Sequence, residues 1–235
     1  MAWSMQTVIV PGTFQERQMQ TLQVEIPVDY VKLGGILEIP GDARGVVVFV
    51  HGSGSSRFSP RNRQVAAGLQ REGFATLLFD LLTQDEQRHD NVDATYRFNI
   101  ALLARRLAAT LAWLRQWADV ATLPVGLFGA STGAAAALVA AARANTVGAI
   151  VSRGGRPDLA GTALASVSAP TLLIVGELDT DVIRLNQRAA GQLTCEHSMA
   201  IVAGATHLFE EPGTLEEVTR LAAGWFGRWL TSASS

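Results

Sequence analysis

The sequence holds one cysteine, Cys195, in 235 residues, so no disulfide can form within the chain and a reducing compartment suits it. Its four histidines are scattered, without the paired spacing of a zinc site. No Lys/Arg cluster is interleaved with aromatics, and a formal charge of -2 gives no field that would hold a polyanion. No apolar run reaches the ~18 residues of a membrane span. Met1 to Val10 lack the basic start, long apolar stretch and small-residue cleavage site of a secretory signal. These absences lead us to expect a cytoplasmic chain with no nucleic-acid or membrane partner. What is present is a composition 48% hydrophobic and 17% charged, enough to bury a two-sided sheet. We expect a single domain over 1–235, with 1–20 as an N-terminal extension or first edge segment.

Thr21 to Val28 and Tyr30 to Ile39 alternate as two early strands joined near Asp29, an antiparallel start to a sheet. After Gly45 the pattern becomes short continuous apolar runs: Val46 to Val50, Ala75 to Phe79, Val125 to Phe128, Val147 to Val151 and Thr171 to Val175. Such runs suit parallel strands covered on both faces. Between them lie helical patterns over Pro60 to Arg71, Phe98 to Trp117, Ser131 to Ala144 and Val182 to Leu193. A last strand ends near Ile201 to Ala203, and Thr214 to Leu230 reads as a closing helix with Thr214 and Glu217 as a capping box. The alternation predicts an α/β fold: a mainly parallel, doubly wound sheet with helices on both faces and its ligand site at the carboxyl ends of the strands.

The sharpest motif is Gly129-Ala130-Ser131-Thr132-Gly133, between a predicted strand and a predicted helix. A serine at so tight a turn is forced into a strained backbone conformation, its hydroxyl projects from the sheet edge, and the helix N-terminus offers free N-H groups to a developing oxyanion. The bland reading of the same five residues is a glycine-flanked turn with a capping serine. His51-Gly52-Ser53-Gly54-Ser55-Ser56 follows an earlier strand and supplies the second wall of an oxyanion hole. Its donor is the N-H of Ser53, with Gly54 as the alternative, beside the N-H of Thr132. His51, ahead of the serine, reads as a structural hydrogen-bonder. The base is His207, in the loop before the closing helix; His89 lies in a very polar stretch and His197 in a strand. The orienting carboxylate is Asp179, at the end of the strand Thr171 to Val175, with Asp181 and Glu177 close by as alternatives. Arg57, Arg61 and Arg63 cluster beside the oxyanion loop, two of them in a first helical turn where cations oppose the macrodipole. Their anion is either the acidic stretch Asp85, Glu86, Asp90 and Asp93 or a substrate carboxylate, for which Arg57 and Arg153 are the candidate binding residues.

The stretches VVVFVHGSGSS, ATLLFDLL, GLFGASTG, APTLLIVGELD and AGATHLF resemble the dienelactone hydrolase branch of the α/β-hydrolases, from about Thr21 to the C-terminus. The resemblance implies an α/β-hydrolase fold and a Ser131, Asp179, His207 triad in that chain order. Dienelactone hydrolases proper carry a cysteine where this chain has Ser131 and a glutamate near Gly52, and both departures speak against dienelactone as the substrate. Cys195, far from the elbow, reads as a small buried residue. Only Ser152 to Pro170 separates two strands where relatives insert a helical lid, so no lid domain is expected. The expectation is a serine-dependent carboxylesterase for a small-molecule ester with a short acyl group, needing no metal or organic cofactor. A lactonase or thioesterase would use the same residues, and a non-catalytic binding protein is the rival of another class.

Overall fold

The computed structural model describes residues 19–230. The start of the expected N-terminal segment, up to residue 18, lies outside the described residues, as does the end of the chain after Leu230. Eight strands form one sheet in the order β1-β2-β4-β3-β5-β6-β7-β8. The first two, β1 (Met19–Val28) and β2 (Val31–Pro40), make the expected antiparallel hairpin, with Asp29 at φ 51° in its turn. β2 then pairs antiparallel with β4 (Phe74–Phe79). From β4 through β3 (Gly45–Val50), β5 (Val125–Ala130), β6 (Val147–Arg153), β7 (Thr171–Gly176) and β8 (His197–Val202) every pairing is parallel. All residues of β3, β4, β5 and β7 are buried. The continuous apolar runs are therefore strands covered on both faces.

One face packs α1 (Pro60–Arg71) and α6 (Thr214–Trp229) through Val65, Leu69, Val218 and Phe226. The other carries α3 (Ile100–Leu114), α4 (Thr132–Arg143) and α5 (Thr180–Ala190), with Leu103, Leu107 and Leu111 of α3 in the core as one stripe. In α4 every residue from Thr132 to Ala141 is buried, and its run of alanines lets the helix lie close between the sheet and α3. The connection from β6 to β7 holds a short 3-10 segment, Pro157–Ser166, broken by Gly161 at φ 54°.

Two local expectations are corrected. Thr214 and Glu217 form no capping box: Gly213 is the N-cap at φ 81°, and the Thr214 hydroxyl donates to Glu211 O at 2.7 Å. A capping box does occur on α2 (Gln84–Asp93), where Thr83 and Glu86 bond reciprocally. That helix was not expected, because its one buried residue is Asp90 and no apolar periodicity marks it. Cys195 is half-buried, not buried, and burial raises its thiol pKa.

Candidate active site

The carboxyl end of β5 turns into α4 through Ser131, whose φ of 50° and ψ of -124° no L-residue adopts without strain. Such a conformation costs on the order of 1–3 kcal/mol and persists where the surroundings enforce it. Enforcement comes from close approach: a Cβ at Gly133 would stand 2.1 Å from the Val50 carbonyl oxygen, and one at Gly129 2.5 Å from Ala134 Cα. Ser131 N donates to Arg153 O at 3.3 Å, and Ser131 O accepts from Arg156 N at 3.0 Å, tying the elbow to the end of β6. Ser131 sits at the N-cap position yet its hydroxyl makes no cap bond. Thr132 opens α4, so its N-H is among those a helix leaves without an internal partner.

His207 follows β8 and faces Asp179, which follows β7: His207 Nδ1 and Asp179 Oδ2 are 2.6 Å apart, with the carboxylate 15% exposed and the imidazole 39%. Gly176 makes this meeting possible, since a Cβ there would collide with the Ala205 and Thr206 carbonyl oxygens at 2.4 and 2.6 Å. The two alternatives to Asp179 are engaged elsewhere. Asp181 pairs with Arg184, and Glu177 accepts Gly204 N at 2.8 Å. The turn after β6 touches both halves of the site: the ideal Cβ of Gly154 lies 3.6 Å from His207 Cε1, one residue beyond the Arg153 that holds Ser131 N.

On the other side of Ser131 stands the loop after β3. An ideal Cβ at Gly52 would fall 2.9 Å from Ser131 Cβ and 3.0 Å from Ala130 O, so a larger residue does not fit this loop as it stands. Ser53 N donates to Thr132 Oγ1 at 3.0 Å, and the two hydroxyls are also 3.0 Å apart. The donor singled out in the sequence is thus engaged by the threonine hydroxyl, and not free. His51 is buried; its Nε2 accepts Leu81 N at 3.0 Å, which leaves Nδ1 to donate to Gly52 O at 2.9 Å. Burial lowers its pKa, and the neutral ring splints the loop to the end of β4. His89 and His197 are exposed, each with its Nδ1 near a backbone oxygen of its own segment.

The arginines separate sharply. Arg57 is held by Asp80, through its guanidinium and through Arg57 N to Asp80 Oδ1 at 2.7 Å. Arg61 reaches Glu210 at 2.7 Å. The acidic stretch proposed as their partner bonds elsewhere: Asp85 to Arg88, Glu86 to Arg106 at 2.6 Å, Asp90 to Arg97 at 2.8 Å, and Asp93 to Thr95 N at 3.0 Å. Arg153 is 8% exposed and has no carboxylate partner among the described residues; its Nη2 approaches Asn62 Oδ1 at 3.4 Å. Asp80, Asn62 and Glu210 were not singled out in the sequence, although Asp80 ends the run ATLLFD at a strand's carboxyl end, where site residues gather. A cavity of about 350 Å³ opens beside the oxyanion loop, lined by Ser56, Arg57, Phe58, Leu82, Gln87 and Arg88 among others. Among the described residues no cluster of His, Cys, Asp and Glu has the makings of a metal site, and no helix is long and apolar enough to cross a membrane.

Comparison with known proteins places these features in a family. The family model described as "Dienelactone hydrolase family" matches residues 33–225. Two Mycobacterium tuberculosis proteins, provisionally named phosphoribosyl transferases, are 58% identical over 207 residues, 87% of this chain. The chain spans 45% of the length of these relatives. A dienelactone hydrolase from Anabaena variabilis is 55% identical, with a TM-score of 0.88 over 91% of this chain and 99% of that one. Est1E from Butyrivibrio proteoclasticus, at 16% identity and a TM-score of 0.73, shares the fold over 88% of this chain and 98% of its own. An α/β sheet of this topology, matched by the family model over most of the chain, makes the conclusion direct: the protein belongs to the dienelactone hydrolase family of hydrolases.

Proposed function

We propose that this hydrolase is a serine-dependent carboxylesterase acting on small, short-acyl esters through an acyl-enzyme on Ser131. The observation that carries the reading is the strained Ser131, with an uncapped hydroxyl, on the same sheet edge as the His207–Asp179 hydrogen bond. With Nδ1 donating to Asp179, the His207 Nε2 is the free base of the ring. It takes the Ser131 proton as Oγ adds to the carbonyl carbon, then gives that proton to the departing alcohol. Water repeats the addition on the acyl-enzyme, regenerating Ser131 and releasing the acid.

The oxyanion is held by the N-H groups of Thr132 and Ser53. In the free protein the Thr132 hydroxyl accepts the Ser53 N-H, so the substrate oxygen takes the place of that hydroxyl. Gly54 N-H is the alternative donor on the same loop. The nearby cavity of about 350 Å³ is of a size for a short acyl or alcohol group. Asp80 offsets the charge of Arg57 at that cavity, which leaves Arg57 as a wall there and not an anion receptor. Phosphoribosyl transfer, the activity in the mycobacterial names, we assign to the part of those proteins that this chain does not span.

The test is hydrolysis of p-nitrophenyl esters from acetate to laurate by the wild type and by Ser131→Ala. Turnover that is best with acetate or butyrate and lost in the variant supports the reading. A preference for long chains contradicts the short-acyl assignment. A folded wild type that turns over no ester, lactone or thioester moves the non-catalytic binding reading ahead.

A further inference from the structure

A buried cation without a counter-ion needs an explanation, because desolvating a guanidinium costs several kcal/mol unless an anion offsets it. Among the described residues Arg153 is such a group. Its Nε and Nη1 are buried and have no hydrogen-bond partner among the described residues. The Arg153 guanidinium carbon also lies 5.9 Å from the centroid of the Phe209 ring. Burial, and Arg61 nearby, lower its pKa to about 10, so it remains charged at neutral pH in surroundings that oppose the charge.

The surroundings add positive potential. The Nη2 of Arg153 points to Asn62, in the first turn of α1, a twelve-residue helix with no acidic residue in that turn. The turn carries Arg61 and Arg63, and Arg61 also has a buried, unpaired Nε. Pro60 has no N-H and Ser59 accepts the N-H groups of Asn62 and Arg63, so the first turn of α1 contributes its dipole end while the two guanidinium groups contribute the free N-H donors of an oxyanion receptor. At least three unpaired donors, Nε and Nη1 of Arg153 and Nε of Arg61, suit the three terminal oxygens of a phosphate group better than the two of a carboxylate. Glu210, from the loop that also carries His207, bonds Arg61 at 2.7 Å and so ties that loop to α1. Its carboxylate is an anion already resting on one of these cations, and is largely exposed.

We propose that Arg153, Arg61 and the first turn of α1 form a subsite for a phosphate group carried by the substrate, with Glu210 giving way when the phosphate enters. The subsite adjoins the catalytic groups: Arg153 O accepts Ser131 N, and Phe209 is two residues from His207. As a statement about substrate it rests on Ser131 being the nucleophile; as a statement about anion binding it does not.

The experiment separates the two. Inorganic phosphate is titrated into the wild type and into Arg153→Met by calorimetry, with sodium chloride matched for ionic strength and succinate as the carboxylate comparison. The wild type should bind phosphate more tightly than succinate, and Arg153→Met should weaken phosphate binding tenfold or more. In phosphate-free buffer Arg153→Met should melt no lower than the wild type, since the substitution removes an uncompensated buried charge; Arg153→Lys, which keeps the charge and loses the fork, should bind phosphate with intermediate strength. Phosphate should also inhibit p-nitrophenyl acetate hydrolysis competitively in the wild type and tenfold less well in Arg153→Met. Phosphate binding that is absent, or equal in wild type and Arg153→Met, overturns the subsite. Succinate binding more tightly than phosphate overturns the phosphate assignment. Absence of ester hydrolysis with Arg153-dependent phosphate binding counts against the esterase reading and leaves the anion site standing.

Discussion

The elbow and the α2 segment lie on either side of the oxyanion loop and are held by opposite means. Around Ser131, strand ends and α4 meet at distances that admit no Cβ at Gly133, and ten consecutive α4 residues are buried. From Thr83 to Asn99 the chain is polar: α2 buries Asp90 alone, and ion pairs from Glu86 to Arg106 and from Asp90 to Arg97 fasten it. Asp90 accepts five bonds within this segment: Tyr96 N and Arg97 N at Oδ1, Arg97 Nε at Oδ2, and Ala94 N and Arg97 Nη2 at its carbonyl oxygen. Close packing fixes position to within tenths of an ångström and tolerates no added atom. A segment fastened by a few directed ion pairs, with almost no apolar side chains packed beneath it, opens locally at lower cost than a close-packed core. The proposed nucleophile thus stands on the rigid region, while the wall of the adjacent cavity, with Gln87 and Arg88, stands on the looser one.

The contrast can be broken from either side. The largest effect is expected within the rigid region. Asp179→Asn, which removes the carboxylate bonded to His207, should lower kcat by about 10⁴-fold. Asp181→Asn, whose partner is Arg184, should stay within about threefold of wild type, and ester kinetics on the two variants decide between the carboxylates. Gly133→Ala comes next: its methyl group meets the Val50 and His51 carbonyl oxygens, and a loss of about 3 kcal/mol or more is expected in urea denaturation. An unchanged midpoint would show that the elbow yields more than its packing implies.

Asp90→Asn should act on the looser region alone. We expect a cost of about 2 kcal/mol, faster hydrogen exchange over residues 84–99, and a raised KM with kcat within about threefold. Loss of protection in β5 and α4 as well would mean that the two regions unfold together. The smallest effect concerns His51. Its pKa is lowered by burial, so the unfolded chain takes up the proton first as pH falls. The stability contributed by the neutral ring is complete above the unfolded pKa of about 6.5 and is lost as pH drops through the lower folded value, at no more than about 1.4 kcal/mol per pH unit. Melting temperatures from about pH 8 to about pH 5 should fall less steeply in His51→Gln than in the wild type.

The same contrast explains what could be read in the sequence. The strands at 46–50, 125–128 and 171–175 are visible as apolar runs because both faces are buried, and the elbow because glycine is the residue that permits backbone to approach so closely. The α2 segment has no such signature, since ion pairs between distant positions leave no period in the chain; the Thr83 and Glu86 capping box was its one local sign. The partners of the arginines were illegible for a related reason. Asp80 meets Arg57, and Glu210 meets Arg61 across 149 positions, while the acidic stretch, much nearer to Arg61 in sequence than Glu210 is, turns to its own helix and to α3. The engagement of Ser53 N-H by Thr132 depends on a side-chain rotamer, which sequence does not encode on its own.

The central claim, that Ser131 is an activated nucleophile, is tested most directly by treating the protein with a fluorophosphonate and locating the adduct by mass spectrometry. The account predicts one adduct on the peptide containing Ser131, formed by the wild type and absent from Ser131→Ala and from protein unfolded in urea. No adduct on the folded wild type, or an adduct that persists in Ser131→Ala, would contradict it.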